Sequence, residues 1–171
     1  SAGLIFLPYM FGERSPIWNS KARGIFFGLS YEKTRAHLIR ALMEGVGYSL
    51  WHNLQTAVEV DVRAMELRSV GGASNSPVWT QLKADITGKI IKVPSTDQAT
   101  NLGAAMLAGV GTGVYRDFSE AVARAVKIKK VYWPNPERHR CYQDYYQLYL
   151  EIYEKIKGCY ETLDKLVLDG E

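Results

Sequence analysis

The sequence predicts an α/β fold, and three observations predict it. Short apolar runs alternate with longer stretches of helical periodicity along the 171 residues. Glycine or proline stands at most of the changes from one to the other, and these residues break regular structure for definite steric reasons. Apolar residues make up 47% and charged residues 23%, which is the balance of a soluble globular domain with a packed core. Strands that alternate with helices lead to an α/β arrangement, and the length suits one domain better than two.

The elements follow in order. Residues 3–9 read as a short buried strand that ends at Pro8-Tyr9, and residues 24–29 as a second extended run between glycines. The charged, Gly- and Pro-containing residues 11–22 between them form a loop. A helix is predicted over residues 33–57, with Leu38, Leu42, Val46 and Leu50 as its apolar stripe, Ala41 and Ser49 beside them, and Arg40 placed to pair with Glu44. Residues 66–70 make a strand that enters Gly71-Gly72. A second helix spans 76–87, capped by Ser76, opened by Pro77 and ended by Gly88.

Residues 90–93 form a β-branched strand stopped by Pro94. The helix over 99–110 carries Gly103, Ala104, Ala105, Ala108 and Gly109, small enough for close packing. A short helix follows at 118–125, then a basic edge strand at 127–132. The terminal helix is predicted over 137–157, with Tyr142, Tyr145, Tyr149, Ile152 and Ile156 on one face.

Composition excludes several function classes. A formal net charge of +3 is too small for a dedicated nucleic-acid binder. No apolar run approaches the roughly 20 residues needed to span a bilayer, and no signal-peptide pattern opens the sequence, so a cytoplasmic protein is expected. The two cysteines, Cys141 and Cys159, lie far apart and suggest ordinary thiols in a reducing compartment.

Among motifs, the segment Val70-Gly71-Gly72-Ala73-Ser74-Asn75-Ser76 is the most informative. Paired glycines admit a ligand close to the backbone, and the helix that follows offers N–H groups and a positive dipole end. It matches neither the P-loop nor the dinucleotide fingerprint, so a ligand loop and a plain strand-to-helix turn both remain open. Gly12-Glu13-Arg14-Ser15-Pro16 reads either as an active-site loop or, preferably, as a loop ordered by a Glu13–Arg14 ion pair. No catalytic constellation and no metal-ligand spacing appear around His37, His52 or His139, which read as satisfied structural histidines. Asp85, near a helix end, reads as structural, and Lys127, Lys129, Lys130, Arg138 and Arg140 as a solvated basic edge.

Taken together, these blocks resemble a known family. Phe6-Leu7-Pro8-Tyr9, Gly12-Glu13-Arg14-Ser15-Pro16-Ile17-Trp18 and Ala22-Arg23-Gly24 are similar to the C-terminal domain of the FGGY carbohydrate kinases. So are Gly28-Leu29 with His37-Leu38, Arg40-Ala41 and Glu44-Gly45-Val46, the Gly71-Gly72 turn with Ser76, Pro77, Trp79, Gln81, Ala84 and Asp85, and Leu102-Gly103-Ala104-Ala105 with Ala108-Gly109. The wording is most similar to the xylulokinases of that family.

The resemblance implies a ribonuclease-H-like, actin-type ATPase domain that is incomplete at its N-terminal end and supplies the nucleotide side of a kinase. It implies ATP with Mg²⁺, with Gly71, Gly72 and Ala73 beside the phosphates and ribose and with Asn75 and Ser76 at the adenine end. The reaction implied is γ-phosphoryl transfer to a sugar hydroxyl, carried mostly by positioning and charge stabilisation. The sugar and the base aspartate are expected mainly on an absent N-terminal domain, so this chain alone is expected to be inactive. Ala73 stands where many members have a third glycine, and Asp97 only approximates the acidic residue before Leu-Gly-Ala-Ala. Other readings are a kinase for gluconate, glycerol or ribulose, a non-catalytic nucleotide- or sugar-sensing module, and a self-associating module or homodimer built on the tyrosine-rich helix.

Overall fold

A computed structural model describes residues 1–168, and in it two small sheets share one helical layer. Strands β1 (Ile5–Leu7) and β2 (Ile25–Phe27) pair antiparallel, with Phe6 opposite Phe26. Strand β3 (Glu66–Arg68) runs parallel to β4 (Ile90–Pro94), and β5 (Ile128–Tyr132) lies antiparallel on the other side of β4. The helices are α1 (Arg35–Glu59), α2 (Pro77–Thr87), α3 (Ala99–Gly111), α4 (Phe118–Ala125) and α5 (Pro136–Leu168). The order of elements matches the alternation read from the sequence.

Local chemistry sets the helix ends. His37 Nδ1 accepts the Thr34 amide at 3.1 Å, so a histidine takes the reciprocal half of a capping box at the start of α1. Ser76 Oγ accepts the Trp79 amide at 3.3 Å, Pro77 occupies the first helical position, and Gly88 ends α2 at φ +64°. Asp117 caps α4 by accepting the Glu120 amide at 2.8 Å.

The stripe expected on α1 is only partly its buried face. Ala41 is buried and Leu38 packs beside it, but Leu42 and Val46 are 40% and 38% exposed, and the rest of the buried face is Glu44, Gly45, Gly47, Tyr48 and Trp51. Glycine decides the rotation. A Cβ at Gly45 would collide with the Phe6 carbonyl oxygen, and one at Gly47 with the Ile86 side chain. The bare glycine surface is where α1 comes closest to β1 and α2, so Leu42 and Val46 are turned outward. The small residues of α3 do not serve close packing either: Ala104, Ala105 and Ala108 are exposed, nothing lies within 4 Å of Gly103, and Gly109 alone meets a neighbour, Tyr115.

The terminal helix runs to Leu168 and so passes the expected stop near Lys157. A helical glycine at 158 costs only about 1 kcal/mol relative to alanine. Against that stand the Tyr160 hydroxyl, which donates to the Arg23 carbonyl at 3.0 Å, and the 3.3 Å Lys21–Asp164 pair. The tyrosine face packs on the core but is centred differently from the expected one: Tyr149 and Ile152 are buried, Tyr142, Tyr145 and Ile156 are only partly so, and Tyr146, Tyr153 and Tyr160 complete the buried face against Ile5, Leu7, Tyr9, Tyr48 and Trp51. At its centre the hydroxyls of Tyr9 and Tyr149 lie 2.6 Å apart. Burial pushes both phenols well above the ordinary tyrosine range, so each stays protonated.

This pair predicts non-additive mutational costs. Tyr9→Phe should cost about 1–2 kcal/mol, because it strands a buried hydroxyl, and adding Tyr149→Phe should cost little more. Urea unfolding of the two single variants and the double variant checks this. A fully additive cycle would show that the hydroxyls do not act as a pair.

Candidate functional site

Strand β3 ends in Ser69, whose amide donates to the Lys92 carbonyl at 3.0 Å, and the chain then turns at Val70 into Gly71. Gly71 has φ +79° and ψ −179°, a region essentially closed to residues with a side chain. A single 3-10 turn, Gly72–Asn75, leads to Ser76 and α2. Gly71 and Gly72 are exposed, and nothing stands within 4 Å of where a Cβ would project from either. Ser74 is buried and locks the turn, its hydroxyl donating to the Gly71 carbonyl at 2.6 Å, while Thr80 Oγ1 donates to the Ser74 carbonyl at 3.4 Å.

The structure thus puts the five sequence-predicted residues on one turn in different settings. Gly71, Gly72 and Asn75 are exposed, Ala73 is half-buried, and Ser76 spends its hydroxyl on the helix cap. A cavity of about 370 Å³ opens beside the first turn of α2, lined by Pro77, Val78, Gln81, Asp85 and Arg138. A slightly larger one, about 400 Å³, lies away from the turn, between the 9–17 segment and α5.

Asp85 is structural, as expected, and its role is specific. It is 2% exposed and accepts from Gln81 Nε2 at 2.8 Å, from the Asn135 amide at 2.9 Å and from Arg138 at 3.3 Å. Gln81 also donates to the Trp133 carbonyl at 2.8 Å, so one carboxylate ties α2 to the junction of β5 and α5. Arg138 is therefore not merely part of a solvated basic edge. On α1, the expected Arg40–Glu44 pair forms at 2.8 Å. Burial by itself would raise the Glu44 carboxyl, but hydrogen bonds from the Ser1 amino group and Arg40 outweigh it and hold the carboxyl below the usual range. Burial and the Glu44 charge push Tyr142 up to about 12, so its hydroxyl donates to Glu44 at 3.1 Å while accepting from Arg40 at 2.7 Å. Sequence reasoning placed Tyr142 only on a packing face, since no local spacing signals a partner so far away in the chain.

The 12–16 loop is ordered differently from the expected ion pair. Glu13 Oε1 accepts the backbone amides of Arg14 and Ser15 at 2.8 and 3.3 Å, and Glu13 and Asn19 exchange backbone hydrogen bonds at 2.9 and 2.7 Å. Asn53 of α1 holds Ser15, and among the described residues no hydrogen bond joins this loop to the 71–76 turn. His139 Nδ1 lies 3.1 Å from the Asp85 and Ile86 carbonyls and is satisfied. His52 is not: its buried Nδ1 has no partner among the described residues.

Burial lowers the His52 pKa below the ordinary histidine value, outweighing the nearby charges of Glu13 and Glu59. A folded-state pKa below the unfolded one means that the histidine stabilises the protein above the unfolded value and that this stability is lost as pH falls through the folded value. Stability should therefore decline below about pH 6.5, and His52→Gln should flatten that part of the profile. Thermal melts between pH 7.5 and 5.5 measure it, and equal slopes for the two proteins would remove His52 as the cause.

Cys141 and Cys159 are free and exposed. Among the described residues, no three His, Cys, Asp or Glu side chains group so as to hold a metal, and no helix is long and apolar enough to cross a membrane.

Residues 1–112 match the model of the FGGY family of carbohydrate kinases, C-terminal domain. The chain is 36% identical over 155 residues to a xylulose kinase of Staphylococcus epidermidis, covering 91% of this chain and 31% of that relative. It is 32% identical to a gluconokinase of Bacillus subtilis, covering 95% of this chain and 32% of the relative. The crystal structure of ligand-bound xylulose kinase from Lactobacillus acidophilus superposes with a TM-score of 0.87 at 33% identity, over 95% of this chain and 33% of that one. The chain thus spans about a third of the length of the relatives it matches. The matched residues include both the glycine turn and α1, and the chain belongs to the FGGY family of carbohydrate kinases, in the region of its C-terminal domain.

Proposed function

We propose that this chain is the nucleotide-binding part of an ATP-dependent sugar kinase and that the full-length protein phosphorylates a pentulose such as D-xylulose. The observation that carries the reading is the exposed, side-chain-free surface at Gly71 and Gly72, placed between a strand and a capped helix inside the family's C-terminal domain. A polyphosphate can approach a backbone only where no Cβ intervenes, and α2 adds the positive end of its dipole. ATP phosphates and ribose then lie along Gly71, Gly72 and Ala73, with the base toward Asn75 and Ser76. These residues fit a nucleotide. They offer no carboxylate for a divalent ion, so Mg²⁺ would be carried by the phosphates and by groups outside this turn.

The sugar and the base that takes its proton are assigned to the rest of the full-length protein, and the reading carries a cytoplasmic location, where ATP is at hand. Gluconate remains the second substrate reading, because the relatives include a gluconokinase. Titration of this chain with ADP and Mg-ATP by calorimetry tests the nucleotide half. Coupled assays of the full-length protein on D-xylulose, L-xylulose and gluconate test the substrate. This chain alone should give no turnover with D-xylulose, and robust turnover would overturn the division of labour. A full-length protein that binds nucleotide but phosphorylates none of these sugars would favour a sensing module.

A further inference from the structure

We propose that Ser74 is a positioning residue of the glycine turn, whose buried hydroxyl holds the Gly71–Gly72 peptide in the orientation that aims the Gly72 N–H at a bound polyphosphate. The proposal deepens the nucleotide reading and rests on it.

Two glycines in a row give a ligand room beside the backbone, but they leave the peptide between them weakly held. Neither flanking residue carries a Cβ, so the peptide plane turns over at little steric cost. Its two ends differ in what they offer a ligand. A trans peptide points its carbonyl oxygen and its N–H in opposite directions, and the Gly71–Gly72 peptide is trans. Turned one way, it presents a hydrogen-bond donor to an anion. Turned the other way, it presents a carbonyl oxygen, which repels one.

In this chain the orientation is set from the buried side. The Gly71 carbonyl accepts the Ser74 hydroxyl at 2.6 Å and the Ser74 amide at 3.0 Å. A carbonyl oxygen has two lone pairs, so both are engaged. Ser74 is itself 5% exposed and held in place by Thr80, which is fully buried on α2. The Thr80 hydroxyl donates to the Ser74 carbonyl, and its amide donates to the Ser76 carbonyl at 3.0 Å. Ser76 does not share the task, because its hydroxyl caps α2.

With the Gly71 carbonyl tied inward, the Gly72 N–H faces away from Ser74. Gly72 is exposed, nothing stands within 4 Å of its Cβ direction, and among the described residues no group accepts its N–H. The donor and the open space beside it therefore belong to the same peptide. Loss of the Ser74 hydroxyl would leave the Ser74 amide alone to hold that peptide. The orientation of one N–H matters only to the ligand group that accepts from it, whereas a general loosening of the turn weakens every ligand alike.

Calorimetric titration of the full-length protein with ADP and with adenosine, which has no phosphate, separates these effects. Ser74→Ala should lose about three- to tenfold in ADP affinity and keep adenosine affinity within about twofold of the parent. Equal losses for the two ligands would mean that the hydroxyl only holds the fold, and would overturn the proposal. Unchanged ADP affinity would overturn it too. Ser74→Cys keeps nearly the same volume with a weaker donor, so its loss should be smaller than that of alanine and again confined to ADP. It carries the same test should the alanine variant fail to fold. A folded parent that binds neither ligand removes the nucleotide reading and the proposal together, whereas a parent that binds ADP no better than Ser74→Ala does removes the proposal alone.

Discussion

Gly72→Val is expected to lower ADP affinity by more than about tenfold, or roughly 1.4 kcal/mol, while leaving the fold intact. Nothing lies within 4 Å of the Gly72 Cβ direction, so the valine methyl groups meet no protein atom and occupy only the space through which a nucleotide would approach. A substitution at such an open, exposed position costs stability by no more than about 0.5 kcal/mol. Gly71→Ala is the contrasting variant. Gly71 sits at φ +79°, where a side chain is strained whatever the space, so the expected cost is about 1–3 kcal/mol of folding stability. Calorimetry with ADP and thermal melts on both variants give two readouts that move independently. If Gly72→Val bound ADP as the parent does, the glycine turn would be removed from the nucleotide site whatever the family.

Why the sequence revealed some of this and not the rest comes down to the range of each signal. Ser76, Pro77 and Gly88 each act within one turn of α2, so the boundaries of that helix were readable from neighbouring letters. The site residues Gly71, Gly72, Ala73, Asn75 and Ser76 are likewise contiguous, and a turn between strand and helix was plain from composition. What the residues alone could not decide was whether the turn serves a ligand, and only the wording of the surrounding blocks pointed to a kinase.

Rotation of α1 was misread for a physical reason. Apolar periodicity assumes that the most apolar face is the buried one, whereas close approach to β1 and α2 required the face with Gly45 and Gly47. The small residues of α3 predicted close packing, yet only Gly109 meets a neighbour, Tyr115, because residue size permits contact without supplying a partner. The end of α5 was fixed by Tyr160 reaching Arg23, a contact across 137 residues of sequence. His52 was read as satisfied, but the partner of a buried ring nitrogen is set by tertiary neighbours that no spacing records.

The largest stability effect should come from Asp85. Asp85→Ala removes the acceptor for the Asn135 amide, the Gln81 side chain and Arg138 at once, at a position only 2% exposed. Loss of a buried, multiply bonded carboxylate costs about 3 kcal/mol or more. At about 2–4 °C per kcal/mol in a chain of this size, the melting temperature should fall by roughly 6–12 °C. The ion pair is the smaller part of that, because Arg138 is two-thirds exposed and solvent screens it. Arg138→Ala should accordingly cost less than about 1 kcal/mol, and Asp85→Asn, which keeps a carbonyl acceptor, should fall between the two. Urea unfolding of the three variants with a common slope decides the matter. An Arg138→Ala cost equal to that of Asp85→Ala would mean that charge, and not the backbone amide of Asn135, holds the junction. Because the same carboxylate fixes α2, whose first turn borders the glycine loop, Asp85→Ala should weaken ADP binding only as far as it unfolds the chain. The affinity of the folded fraction should stay at the parent value.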